Sequence, residues 1–236
     1  MGLMSRLLPV GVGAALSATG LGAHLYAARP LGPVHFFIPT AGEKRVALTF
    51  DDGPNPPHTE RLLEILSEEA VQATFFMTGA HVKAYPETAR AVHEAGHAIG
   101  NHGLGGRRFT KVPVDVALDE INEVDGLFED AGLPASQFVR APRLEFGWRL
   151  AQRLSKNGRV LVGGSAAGND WDTQDPEAIA KVTLRMTVPG SILVLHDGFD
   201  RAAEADRSGS VEAARIIIRR LKDRGYTFHG LDGLEP

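Results

Sequence analysis

Two hydrophobic periods take turns along this chain from about residue 45 onward. The run Val46-Ala47-Leu48-Thr49-Phe50 is apolar and rich in strand formers, and predicts a buried strand. Behind it, Leu62, Leu63, Ile65 and Leu66 recur at helical spacing and predict a helix over 59–70 with Thr59 as its N-cap. Residues 71–77, VQATFFM, predict the next strand. A helix over 86–95 opens on Pro86 and stops at Gly96. A short strand over 97–101 and a long amphipathic helix over 114–131 follow, the helix set by Val116, Leu118, Ile121, Val124 and Phe128. Further strands are expected at 138–140, 159–162, 191–195 and 226–229, with helices over 148–157, 176–186 and 211–224 between them. Alternation of this kind predicts an α/β fold in which a mostly parallel sheet or barrel is wrapped by helices.

The first 30 residues break the pattern. Residues 7–28 contain no Asp, Glu, Lys or Arg, and about twenty such residues can span a bilayer. The glycines and Pro9 in this run oppose a packed core helix. With Ala27-Ala28 placed like a cleavage site, residues 1–30 read as a signal peptide or membrane anchor. A linker over 31–44 and one folded domain over 45–236 are expected after it. Export, an extracytoplasmic location and membrane attachment through the first segment follow as expectations, as does a monomer. The chain of 236 residues suits a single substantial domain. A net charge of -4 gives no basic excess for nucleic acid. There is no cysteine, so a metal ion would have to be held by His, Asp or Glu.

Polar residues gather where the expected strands end. Asp51 and Asp52 follow Phe50, and Asn101 and His102 follow Ile99. Arg140 and Pro142 follow Val139, Asp170 and Trp171 follow a Gly-rich run, and His196 and Asp197 follow Leu195. In a barrel of parallel strands such ends converge on one face. Neighbouring carboxylates there can divide their work, one on a metal and one on a proton.

These stretches resemble the motifs of the polysaccharide deacetylases, carbohydrate esterase family four, to which the nodulation-factor chitooligosaccharide deacetylase is related. Thr49-Phe50-Asp51-Asp52-Gly53-Pro54 matches the first motif in full. Gly96 to His102 matches the approach to the second, Arg140-Ala141-Pro142 the third, Asp170-Trp171 the fourth and Leu193 to Asp197 the fifth. The resemblance runs from Val46 to about Gly230 and implies a distorted, incomplete (β/α) barrel. It implies N-deacetylation of a cell-wall or chitin-like polysaccharide, with an N-acetylated glycan as substrate. It further implies a divalent metal, zinc or alternatively cobalt, held by Asp52 and His102. On the same ground Asp51 is the general base, Arg140 its partner, His196 the general acid and Asp170 the residue that orients it. Trp171, Leu195 and Pro142 then contact the substrate, the first two around the acetyl methyl.

Two departures stand out. The second motif of that family carries a second histidine four residues after the first, and here that position is Gly106 in His102-Gly103-Leu104-Gly105-Gly106-Arg107-Arg108. One ligand is absent, and two arginines stand beside the gap. After Pro142 the chain reads Arg143-Leu144-Glu145 where an aromatic residue and glycine are usual. Three readings stay open: an active deacetylase, with a substitute ligand such as His58 or an extra water; a weak or inactive relative that binds glycan; and a hydrolase acting on another acyl or non-sugar amide group. His81, His93 and His97 read as surface or packing residues.

Overall fold

The computed structural model describes residues 33–236 apart from 201 and 203. The segment expected as a signal or anchor therefore lies outside the described residues. Among those described, no helix is long and apolar enough to cross a membrane.

The elements, in order, are β1 (Val34–His35), β2 (Arg45–Asp51), α1 (His58–Glu68), β3 (Thr74–Met77), α2 (Gly79–Ala84), α3 (Pro86–Glu94), β4 (Ala98–Asn101), α4 (Val114–Asp130), β5 (Phe138–Val139), α5 (Trp148–Lys156), β6 (Val160–Val162), β7 (Ala166–Ala167), α6 (Pro176–Met186), β8 (Ile192–His196), α7 (Ser208–Asp223) and β9 (Thr227–Phe228). The strands pair in the order β1-β6-β5-β4-β3-β2-β8-β7, with β9 added to β2. Every ladder between them is parallel. This is the incomplete (β/α) barrel that the family resemblance implies, built on the parallel sheet that the alternating periods predict.

Three elements escaped the sequence pattern, namely β1, α2 and β7. The two strands are two residues long, too short to show a period. β1 pairs with β6, and Ile38 N–H donates to Gly190 C=O at 2.8 Å. Part of the stretch expected as a linker thus pairs with the sheet, through Val34–His35 and a bridge at Phe37. The helix expected from Thr59 begins one residue earlier, with Pro57 as N-cap and no side-chain cap. The Thr59 hydroxyl instead accepts from Asn55 N–H at 2.8 Å and donates to Asp197 at 2.6 Å.

Strand alternation sorts the apolar side chains into two layers. Leu48, Phe50, Phe75, Met77, Leu193 and Leu195 turn outward and cluster with Leu62, Ile65, Ile217 and Ile218 of the helices. Ala47, Phe76, Phe138, Val160, Val162 and Ile192 form an inner cluster with Leu231 and Leu234. The sheet curls until the chain from β6 to β7 crosses its gap. Gly163 N–H donates to His35 C=O, and Ser165 N–H to Ile192 C=O. A Cβ on Gly163 would meet the Phe36 ring at 2.5 Å, and one on Gly164 would overlap a Val194 methyl. Glycine is required where backbone passes this close to side chains.

Candidate active site

Strand register brings the site together. Asp51 on β2 is the direct partner of His196 on β8, and Asn101 on β4 pairs with Val139, one residue before Arg140. Parallel neighbours in register point their side chains the same way, so Asp51 and His196 rise side by side from the strand ends.

Asp51 is buried and accepts from Arg140 Nη1 at 2.6 Å. Arg140 is wholly buried. Its guanidinium also donates to Thr49 Oγ1 at 2.7 Å and to Gly163 C=O at 2.8 Å, and it lies 4.0 Å over the Phe76 ring. The side chain therefore crosses the barrel interior from the end of β5 to β2 and the end of β6. A buried charge needs this full set of partners, because desolvation otherwise outweighs one ion pair. The Thr49 hydroxyl in turn donates to Leu193 C=O at 2.6 Å.

Asp52 sits at φ +70°, a left-handed conformation that non-glycine residues adopt at a cost of about 1–3 kcal/mol. Three contacts hold it there. Its N–H donates to Phe76 C=O at 3.1 Å, its C=O accepts from His81 Nδ1 at 2.8 Å, and Gly198 packs so tightly that a Cβ would overlap the same carbonyl. His102 Nδ1 donates to Arg140 C=O at 2.9 Å, which leaves Nε2 facing Asp52 at 3.4 Å and Asp51 at 3.9 Å. A carbonyl on one ring nitrogen and an open lone pair on the other is the arrangement of a metal-binding imidazole.

Across the cleft, His196 Nδ1 donates to Asp170 at 2.9 Å. The second Asp170 oxygen accepts from His196 N–H and from Ser210 Oγ, each at 2.7 Å, and Asp170 is fully buried. Arg207 Nη1 donates to Asp170 C=O at 3.1 Å. Burial disfavours charge on His196, but the Asp170 carboxylate beside it, with Asp52 and Asp51 beyond, outweighs that and pushes its pKa up to about 9. The same imidazolium holds Asp170 below its usual range against its own burial. His196 is thus a proton donor at neutral pH. The contribution of the raised His196 pKa to stability is fully present below the ordinary histidine value of about 6.5 and is lost as pH rises through about 9. Asp170→Asn is expected to pull the alkaline limb of the pH–rate profile down from about 9 toward or below the ordinary histidine value; a limb that stays put in that variant would assign it to another group.

The remaining expected residues fare differently. Trp171 is half exposed and meets the His196 ring edge-on at 5.7 Å. Pro142 is buried beside the metal-side loop, 3.5 Å from where a Cβ on Gly103 would stand. Leu195 packs with the outward cluster beneath the helices and has no exposed surface. Alternation puts Val194, not Leu195, on the same face of β8 as His196, because neighbouring residues of a strand point oppositely. His58 lies 3.8 Å from Asp206 rather than joining Asp52 and His102. His97 packs on Phe75 and His93 is exposed, both as expected. The sequence reading gave no role in the site to Thr49, Ser210, Arg207 or Asp197, and took as a surface or packing residue His81, whose Nδ1 instead meets the Asp52 carbonyl. Asp197 lies beneath Gly53, whose Cβ would be 2.6 Å from its Cγ, and burial pushes its pKa up to about 7.

Arg107 and Arg108 do not crowd the cleft. Arg107 pairs with buried Glu120 at 2.7 Å, and Arg108 forks onto Glu145 at 2.7 and 2.5 Å. Of the ligands expected for a divalent metal, Asp52 and His102 face each other at 3.4 Å. Among the described residues no group of three or more His, Asp or Glu is set to hold a metal ion. Three ligands are the norm for a catalytic zinc, so the donor set present does not fit such a site.

The sequence model described as polysaccharide deacetylase matches residues 39–162. A chitooligosaccharide deacetylase from Rhizobium leguminosarum bv. trifolii is 32% identical over 80% of this chain and 91% of its own length. The crystal structure of the Bc1960 peptidoglycan N-acetylglucosamine deacetylase superposes with a TM-score of 0.80, at 27% identity, over 87% of this chain and 96% of that one. A Bacillus anthracis protein described as a pseudoenzyme of carbohydrate esterase family four superposes with a TM-score of 0.77 at 23% identity, over 86% and 69% of the two chains, a likeness of fold alone.

Proposed function

Because this chain belongs to the polysaccharide deacetylase family, we propose that it removes N-acetyl groups from a glycan containing N-acetylglucosamine, with Asp51 as general base and His196 as general acid. The observation that carries this is the register pairing of Asp51 with His196, each backed by a buried partner of opposite charge. One side of the cleft can take a proton while the other holds one to give. Water attacks the acetyl carbonyl carbon as Asp51 takes its proton. The carbon–nitrogen bond then breaks as His196 protonates the leaving nitrogen, releasing acetate and a free amine. Arg140 holds the Asp51 carboxylate in place through their buried ion pair, and Asp170 keeps His196 charged and aimed. Trp171 and Val194 border the acid and supply the apolar wall for the acetyl methyl.

Deacetylases of this family are generally metal-dependent. The two donors here fall one short of the three usual for a catalytic zinc, so the assay is run with and without added zinc or cobalt to test whether turnover needs a metal. The relatives named act on chitooligosaccharide and peptidoglycan, which supports an extracytoplasmic glycan and agrees with the export expected from residues 1–30. A second reading, a glycan-binding relative without turnover, is favoured by one observation, the glycine at the third ligand position. Acetate release from chitooligosaccharides and peptidoglycan fragments, with and without added metal, decides between the two. Release supports the deacetylase; saturable binding of the same glycans with no acetate would assign the second.

A further inference from the structure

The two departures from the family pattern, at Gly106 and at Arg143, meet at one point in space, the side chain of Asp200. A Cβ on Gly106 would lie 2.6 Å from Asp200 Cγ and 2.7 Å from its Cβ, so the Asp200 side chain already occupies the volume into which any side chain at 106 must start. Asp200 belongs to the loop after His196-Asp197, and its side chain is only 8% exposed. Its carboxylate accepts from Arg143 Nη2 at 2.9 Å. Arg143 is the residue that follows Pro142 where an aromatic is usual. It and Leu144 are consecutive non-glycine residues at φ +60° and +55°, a path that presents the guanidinium to Asp200. The ion pair ties the loop after β5 to the loop after β8, across the loop that carries His102.

We propose that Asp200, anchored by Arg143, is the positioning residue that keeps this cleft at two metal ligands by filling the corner of the third. The glycine at 106 is then one half of a matched pair. Restoring a histidine there would be blocked by the carboxylate opposite, and backbone at φ +75° adds strain for any side chain. The inference rests on Asp52 and His102 as metal ligands, not on turnover. Its readouts are metal affinity and melting, so its failure is distinguishable from a failure to release acetate.

The test measures zinc affinity of the full chain by competition with a chromophoric chelator, and the visible spectrum of the cobalt form, in four proteins. Wild type and Asp200→Ala are expected to bind zinc equally and weakly. Gly106→His alone is expected to stay within a few-fold of them. Gly106→His with Asp200→Ala is expected to bind about 10–100-fold tighter, the scale on which ligand-supporting changes act, with stronger cobalt absorption as coordination falls below six. Equal tightening by Gly106→His alone would overturn the proposal. So would a loss of zinc affinity of tenfold or more in Asp200→Ala, which would make Asp200 itself a ligand, or no gain in a folded double variant. Should the histidine variants not fold, Gly106→Ala compared in the wild-type and Asp200→Ala backgrounds keeps the question open to measurement. The backbone strain is common to both, so a smaller drop in melting temperature in the second background supports the overlap, and equal drops overturn it.

Discussion

Asp51→Asn is expected to lower acetate release by about 10²–10⁴-fold, the usual contribution of a positioned general base, while the fold stays intact. The amide keeps the shape of the carboxylate and can still accept from Arg140 Nη1, so the barrel interior retains its packing. What it loses is the capacity to take a proton from water. The measurement is kcat for acetate release beside a far-UV spectrum and a melting curve. Unchanged hydrolysis in a folded variant would reject Asp51 as base and would move attention to Asp52, the only other carboxylate within 3.9 Å of His102 Nε2 among the ion pairs of this cleft.

Arg140→Leu is expected to destabilise the domain by about 3–5 kcal/mol, the range found when one partner of a buried ion pair is removed. Several losses coincide there. Asp51 is left without its counter-charge, Gly163 C=O loses a donor, and Thr49 Oγ1 loses another. The side chain also fastens β5 to β2 and to the end of β6, so its removal loosens the interior under the site. Urea unfolding of the single variants Arg140→Leu and Asp51→Asn and of the double variant separates these effects. The double variant is expected to lose less than the sum of the singles, since groups in contact do not add. Strict additivity would show that the pair is not coupled and that Arg140 acts through its carbonyl partners alone.

Much of this arrangement is legible in the chain itself. The run from Val46 to Phe50, the leucines of α1 and the amphipathic face of α4 each carry their period locally, and the period alone places strand or helix. The polar pairs after Phe50, Ile99, Val139, the Gly-rich run before Asp170, and Leu195 could be read as strand ends, and parallel strands bring their ends to one face. Asp51, Asp52, His102, Arg140, Asp170 and His196 were all found that way and do lie together. The face of β8 on which Leu195 sits was also decidable in principle, since His196 pointing inward sends Leu195 outward and Val194 inward. What the chain hid is what depends on partners far apart in sequence. His81 looks like any helix histidine until its Nδ1 meets the Asp52 carbonyl, 29 residues away. Ser210 lies in an unremarkable helix start until it reaches Asp170. Gly106 reads as a simple loss until Asp200 is seen in its place with Arg143 behind it. Periodicity is a property of neighbours along the chain, so sequence alone could determine the elements and the residues offered at their ends. Which buried charge is satisfied, and by what, depends on groups that only the curled sheet brings within 3 Å, and that was left to the tertiary structure.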